Sequence, residues 1–195
     1  VERIVVDGGS CDVTAVRAEE WGARVVCSPP GRARQMNAGA RASRGSVLLF
    51  LHADPRLPYG FEEHVRRTLS SPGTVAGAFR HAIDGDESGL RLIEHLVTFR
   101  SGGLAMPYGD QGIFLPAGRF QEAGMFPEIP IMEDFELMRR LRRLGRVGIA
   151  PSSAVSSSRR YRQMGTLRTT WINQVMIAGY IVGIPPHRLA RWYRS

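Results

Sequence analysis

Asp7, Asp54 and the adjacent pair Glu133-Asp134 are the acids in this sequence with chemistry to offer. Asp7 and Asp54 each fall within three residues of the last aliphatic residue of a short apolar run, Arg3-Ile4-Val5-Val6 and Val47-Leu48-Leu49-Phe50-Leu51. If those runs are strands of one sheet, both carboxylates stand at strand carboxyl ends, where α/β proteins bind ligands. The turn Asp7-Gly8-Gly9-Ser10-Cys11-Asp12 has glycines that let a ligand approach the backbone. Its Asp can accept a hydrogen bond from a base or ribose. The same turn also reads as a plain strand-to-helix connection whose acids cap the helix. It is neither a P-loop nor a G-x-G-x-x-G fingerprint.

In His52-Ala53-Asp54, the carboxylate can hold Mg²⁺ or Mn²⁺ bridging two phosphates, because such hard cations prefer oxygen. His52 would line that site; the alternative is an ordinary loop Asp ahead of Pro55. Side by side, Glu133 and Asp134 repel, which raises at least one pKa and suits a general base. As the first acids of a helix they would equally complement its dipole. Gly31–Gly39 opens another helix with Arg32 and Arg34, whose N-terminus can receive a phosphate or a base edge. Ser156–Arg162 packs three arginines around a tyrosine, as a pyrophosphate clamp or a solvated loop.

The charges behind these motifs are unevenly placed. All 26 basic residues are arginine. Residues 1–136 hold 14 arginines and all 18 acids, whereas 137–195 hold 12 arginines and no acid. Arginine-preferring codons explain the absent lysine but not the acid-free block, which points to an anionic partner: phosphates, a lipid surface or nucleic acid. With 43% hydrophobic residues in 195, the chain has material for a real core, which excludes a disordered tail, a fibre and a disulfide miniprotein. Cys11 and Cys27 make no framework and no metal spacing, so a reducing compartment is expected. No run of 18 apolar residues exists, and Val1–Ser10 does not read as a signal peptide.

The elements that must position these residues alternate. Strands are expected at 3–6, 24–27, 47–51 and 74–83, and helices at 12–20 (with Asp12 as N-cap), 32–43 and 60–70. The five-residue apolar run at 47–51 reads as a strand buried on both faces. Strands alternating with helices predict an α/β protein with a mostly parallel sheet flanked by helices. Further on, helices are expected at 88–100, 133–144 and 166–183, with 107–115 a turn leading into a strand. Pro185-Pro186 then breaks the chain before a short basic end.

Taken together and in this order, the motifs resemble the inverting family 2 glycosyltransferases of the GT-A fold, in a branch of small bacterial enzymes. Val5–Thr14 is similar to the family's nucleotide-binding turn, V-D-D-G-S-x-D-x-T. The segment Gly31–Pro58 looks like the helix and strand that end in its D-x-D, and Ile131–Gly145 resembles its E-D motif. Ser157-Ser158-Arg159-Arg160-Tyr161 sits where many members place an arginine-aromatic pair near the diphosphate. The resemblance spans residues 1 to about 165. It implies a Rossmann-like GT-A domain at 1–165 followed by a C-terminal helical extension at 166–195. It implies nucleotide contacts at Asp7, Gly9, Ser10, Arg34, Asn37, His52 and Asp54, a Mn²⁺ or Mg²⁺ ion on Asp54, and Asp134 as catalytic base. Asp110, Glu133, Arg159 and Arg160 are secondary candidates for phosphate or acceptor contacts.

Two departures stand out: His52 replaces the first Asp of D-x-D, and Gly8 the second Asp of the first turn. The family also carries a strand and helix ahead of the position of Val1. Without them the sheet lacks a central strand and the nucleotide site one half, so instability of the isolated chain is expected.

The implied reaction moves a sugar from a nucleoside diphosphate sugar to an acceptor hydroxyl, with inversion. The competing reading is a non-catalytic basic module that binds nucleic acid or an anionic surface through residues 137–195. That block contains no recognisable nucleic-acid motif, and the reading leaves the three acidic sites unexplained. A nucleotidyltransferase would be expected to open on a lysine-rich loop, and the chain has no lysine. For the tail, the apolar stretch 172–184 flanked by Trp171, Trp192 and Tyr193 reads either as core or dimer contact, or as an interfacial helix serving a lipid-linked acceptor. The expected location is cytoplasmic, with peripheral contact at the inner face of the membrane under the second option.

Overall fold

A computed structural model describes residues 1–84, 109–158 and 166–194. In chain order these form β1 (Ile4–Asp7), α1 (Thr14–Glu20), β2 (Arg24–Cys27), α2 (Arg32–Ala42), β3 (Val47–Phe50), α3 (Phe61–Leu69) and β4 (Thr74–Asp84). A 3₁₀ turn (Gly109–Gln111) leads into β5 (Ile113–Pro116), followed by α4 (Ala117–Glu122), α5 (Glu133–Leu144), β6 (Arg146–Ser157), α6 (Thr166–Ile181) and α7 (Pro186–Arg194). The strands and helices expected in the first 84 residues all form, with ends within one or two residues. The helix expected at 88–100 lies outside the described residues.

The α/β class is as expected, but the sheet is mixed rather than mostly parallel. β1 and β2 pair in parallel as a two-stranded sheet, and a second sheet runs β3-β5-β4-β6. In it β5 is antiparallel to both β3 and β4, while β4 and β6 are parallel. Among the described residues the apolar run at 47–51 is therefore an edge strand. Leu48 and Phe50 are buried, whereas Val47 and Leu51 are exposed, which corrects the expectation of burial on both faces.

Strand β6 was not foreseen. Gly148, Pro151 and four serines between 152 and 157 give it the composition of a loop. It forms because β4 supplies a long parallel partner from Thr74↔Arg146 to Asp84↔Ser157. The register shifts between Ala78 and Arg80, opposite the stretch that contains Pro151, which has no N–H for the ladder. Gly77 lets β4 and β5 meet closely, since a Cβ there would lie 2.4 Å from the Phe114 ring. The basic end after Pro185 is also more regular than expected, because Pro186 at a first helical position is compatible with the helix α7.

The core is built around the four-stranded sheet. Phe50, Phe120 and Phe126 stack edge-on and tilted at centroid distances of 4.9–5.4 Å, with Ile113, Leu115, Leu137 and Leu141 around them. On the other sheet face, Phe79 and Phe114 pack with Val65 and Ala150. A third cluster joins α5 to the C-terminal helices through Ile131, Met132, Phe135, Met176, Leu189 and Ala190.

Candidate active site

Asp54 of the D-x-D-like segment and Asp134 of the E-D-like segment meet in one cavity of about 350 Å³. Asp54, Asp110 and Asp134 line it together with His52, His81, Arg32, Ser156 and Ser157; Asn173, Met176 and Ile177 of α6 and Tyr193 of α7 form a further wall. The three acids are each delivered by a different element. Asp54 follows β3 on a loop held against β6 by a two-way backbone pairing of Arg56 and Val155, both N–H···O distances being 2.9 Å. His81 lies on β4, and its Nε2 is 3.3 Å from the Asp110 carboxylate of the 3₁₀ turn. Next to it, Gln111 is fully buried and donates to the Phe79 carbonyl at 3.0 Å, which fixes that turn to β4.

Asp134 is placed by the start of α5. The preceding Met132 has a φ of +71°, a left-handed conformation that costs a bulky residue free energy and is retained only where the surroundings impose it. Met132 is buried in the α5–α6–α7 cluster and lines the cavity. The Phe135 N–H donates to an Asp134 carboxylate oxygen at 2.7 Å, setting the orientation of the group.

Glu133, by contrast, points inward and is 1% exposed. It holds Arg32 through two contacts, Nε to Oε1 at 2.8 Å and a terminal nitrogen to Oε2 at 3.3 Å. The shorter one is ionic rather than a well-aligned hydrogen bond, because Oε1 lacks a hydrogen-bond partner of good geometry. Burial, followed by the Asp134 charge, raises the Glu133 pKa; Arg32 opposes both. The expected repulsion within the acid pair is thus present, and burial exceeds it. Arg32 keeps half of its side chain exposed in the cavity.

The remaining sequence candidates are placed elsewhere. Asp7 accepts hydrogen bonds from the backbone N–H groups of Gly9 and Ser10 and from the Ser10 hydroxyl. The Ser10 contacts hold its carboxyl below the ordinary value. This turn does not line the large cavity. It is tied to α2 by Gln35, which donates to the Val6 carbonyl at 2.9 Å and accepts from the Gly31 N–H at 3.3 Å. Gly8 accommodates that side chain, since a Cβ there would meet Gln35 at 2.9 Å. Asp12 accepts from the Thr14 N–H at 3.0 Å and so closes the turn just ahead of α1.

Arg34 pairs with Glu128 at 2.9 Å on a second, shallower cavity of about 320 Å³ beside Cys27, Ser28 and Arg41. Asn37 calls for a correction. It is buried, and its amide donates to the Phe126 carbonyl and accepts from the Phe126 N–H, which leaves no face for a nucleotide. Arg159 and Arg160 lie outside the described residues.

Among the polar residues of the cavity wall, His81, Asn173 and Tyr193 carry no motif, whereas Arg32, Ser156 and Ser157 belong to segments offered above only as general contacts for a phosphate or base edge. The signals in the sequence were Arg32 beside Arg34 at the start of a helix, Ser156 at the head of the arginine-rich segment 156–162, and His81 as a polar residue within an apolar strand. His52 Nε2, His81 Nδ1 and Ser156 Oγ are buried without a hydrogen-bond partner among the described residues. All three belong to residues of the cavity wall, where unmet polar atoms mark a place built for more than packing.

No three His, Cys, Asp or Glu side chains among the described residues converge as a metal site. The donor set still fits a divalent cation that arrives with a diphosphate. Such an ion needs only one or two carboxylates when phosphate oxygens and water complete its shell. Moreover, three carboxylates against one guanidinium repel an anion, and a cation would offset that.

Residues 1–128 of the chain's 195 match the family described as Glycosyl transferase family 2. Similar folds occur in TarS 1–349 of S. aureus, solved with UDP-GlcNAc (TM-score 0.62, 13% identity, 80% of this chain and 49% of that one). The mannosyltransferase PcManGT of Pyrobaculum calidifontis, solved with GDP-Man and Mn²⁺, gives a TM-score of 0.58 at 17% identity, over 80% of this chain and 47% of that one. Glucosyl-3-phosphoglycerate synthase of Mycobacterium tuberculosis, solved with Mn²⁺, UDP-Glc and phosphoglyceric acid, gives 0.55 at 20% identity, over 78% of this chain and 59% of that one. This chain thus spans roughly half the length of the structures it resembles. No curated sequence matches it closely enough to count as a relative. With the family matched over most of the chain and its fold present in the described residues, the chain belongs to glycosyl transferase family 2.

Proposed function

We propose that this chain transfers a glycosyl group from a nucleoside diphosphate sugar to an acceptor hydroxyl in the cavity between β4, β6, α5 and α6. The observation that carries this reading is the meeting of Asp54, Asp134 and Arg32, from three separate elements, in one cavity. The family membership and the nucleotide-sugar complexes of similar folds support it. In this reading residues 1–165 form the catalytic unit, and 166–195 an extension that supplies one wall of the cavity.

Asp134 takes the proton of the acceptor hydroxyl as its oxygen attacks the anomeric carbon from the side opposite the diphosphate. The bond between that carbon and the diphosphate oxygen breaks, the nucleoside diphosphate leaves, and the configuration inverts. A divalent cation bound with the donor would neutralise charge on the leaving diphosphate. Asp54 would hold it, with His52 beside it. Arg32, oriented by buried Glu133, faces the same charge and costs little reorganisation when it develops. The Asp7–Ser10 turn, tied to α2 through Gln35, is the natural contact for the base and ribose, leaving the cavity to the diphosphate, sugar and acceptor.

Calorimetric titration of the chain with UDP and GDP, each with and without Mn²⁺, tests the donor site. Binding of one nucleotide that depends on Mn²⁺ and is lost in Asp54→Ala is expected. Asp134→Asn should lower turnover by about 10²–10⁴-fold while nucleotide binding stays close to that of the native chain. Equal loss of both would remove Asp134 from the role of base.

A further inference from the structure

Helix α6 is apolar on two faces, and only one of them packs against other described residues. Its inner face packs Met176, with Ile172, Ile177 and Tyr180, against α5 and α7. Trp171, Gln174, Val175, Ala178, Ile181 and Val182 are exposed. They recur at the three- and four-residue spacing of a single helix face and its exit turn, and only Gln174 is polar. Trp171 is 70% exposed, Ile181 67% and Val182 75%. Water-soluble helices rarely leave such a stripe uncovered.

What adjoins the stripe decides the kind of partner. After the turn at Gly183, α7 exposes His187, Arg188, Arg191 and Trp192, while Leu189 and Ala190 face inward. No acid occurs anywhere in the 59 residues after Glu136. A second copy of this chain docking here would bring two such arginine-bearing faces together, and like charges at an interface are costly. A surface that is apolar within and anionic at its rim is complementary on both counts. Tryptophans suit the boundary between headgroups and acyl chains, and arginines bind the headgroups.

We infer that the outer face of the α6–α7 hairpin docks on an anionic lipid bilayer, with Trp171, Val175, Ile181, Val182 and Trp192 entering the interface and Arg188 and Arg191 pairing with headgroups. Because no described helix is long and apolar enough to cross a membrane, the contact is peripheral. The inner face of the same hairpin contributes Asn173, Met176, Ile177 and Tyr193 to the cavity, so one helix pair would have the bilayer on one side and the cavity on the other. This inference stands apart from the glycosyl-transfer reading, since it rests on the outer face alone.

The test is co-sedimentation of the full chain with vesicles of phosphatidylcholine and with an equal mixture of phosphatidylcholine and phosphatidylglycerol, at low and high salt. Binding to the mixed vesicles, weakened by salt, and little binding to the neutral ones is expected. Each of Arg188→Gln and Arg191→Gln should lower affinity for the mixed vesicles about fivefold, and Trp171→Ser with Trp192→Ser by about tenfold or more. These side chains are exposed, so circular dichroism should show an unchanged fold. Arg142→Gln with Arg143→Gln, on the exposed side of α5, is the control and should change binding little. In a Trp21→Phe background, tryptophan emission should shift to the blue on binding. Absence of binding, equal binding to both vesicle types, or equal loss in the control would overturn the inference. So would a concentration-dependent dimer that Ile181→Asp abolishes and that shows no affinity for vesicles.

Discussion

The two sheets of this protein do different work and are held differently. The β1–β2 pair and α1 contain no buried residue, and the pair reaches the rest of the chain largely through α2. The four-stranded sheet carries Phe79, Phe114, Ile113 and Leu115 with no exposed surface, and the cavity opens at its edge. The motif legible at the end of β1 is a turn whose Asp7 is occupied with its own loop. By contrast, the acids of the second sheet stand in a shared cavity on elements that the core fixes. A turn can be exposed and locally closed, whereas groups that meet in one cavity from separate elements need a packed scaffold between them.

Stability should divide along the same line. Phe120→Ala, in the centre of the phenylalanine cluster, is expected to cost about 3–5 kcal/mol, and Val5→Ala in half-buried β1 less than half of that. Urea titrations of both variants measure the contrast, and similar losses would break it. Next in size is the difference between the two arginines of α2. Arg32→Gln should weaken nucleoside diphosphate binding roughly tenfold or more, as loss of a charged hydrogen bond does, while Arg34→Gln, paired with Glu128 on the other cavity, should change it by less than about threefold. The reverse order would move the diphosphate to the second cavity.

Glu133 sharpens the comparison through pH. Its carboxyl is raised above 4.5, so across that window the native state holds a proton that the unfolded chain releases. Stability therefore falls as pH rises from about the unfolded value of 4.5 to the raised one. Glu133→Gln should remove this slope, read as the difference in thermal midpoint between variant and native chain over that interval. Asp7 runs the other way. Its lowered carboxyl contributes stability that is present above 3.8 and lost as pH falls below it. The smallest expected effect is that of Gly8→Asp, which restores the family's acid but displaces the Gln35 amide from the Val6 carbonyl. A change within about 1 kcal/mol is expected, measured by the same urea titration.

Much of this was legible in the sequence because it is local. Apolar runs ending in Asp7 and Asp54, and the period of Glu133–Leu144 with its acids first and arginines last, depend on residues close along the chain. The element at 133–144 forms over the range expected, and the family resemblance rested on the same local strings. The sequence misled where a pairing partner outweighed composition. Serine-rich β6 becomes a strand only beside β4, β5 turns antiparallel between β3 and β4, and the run at 47–51 lies at the edge of the described sheet.

What the sequence by itself determined is the class of the fold, the order of the elements in the first 84 residues and the acids that end them. Only the tertiary structure decided which of those acids meet. It brought Asp110 and Asp134 to Asp54, gave the cavity Arg32 instead of Arg34, and turned Asn37 into the core to hold Phe126. The physical reason is that a motif specifies backbone geometry over a few residues. Which face of a helix is buried, and what lies opposite a carboxylate, are fixed by packing between segments as far apart as Arg32 and Glu133.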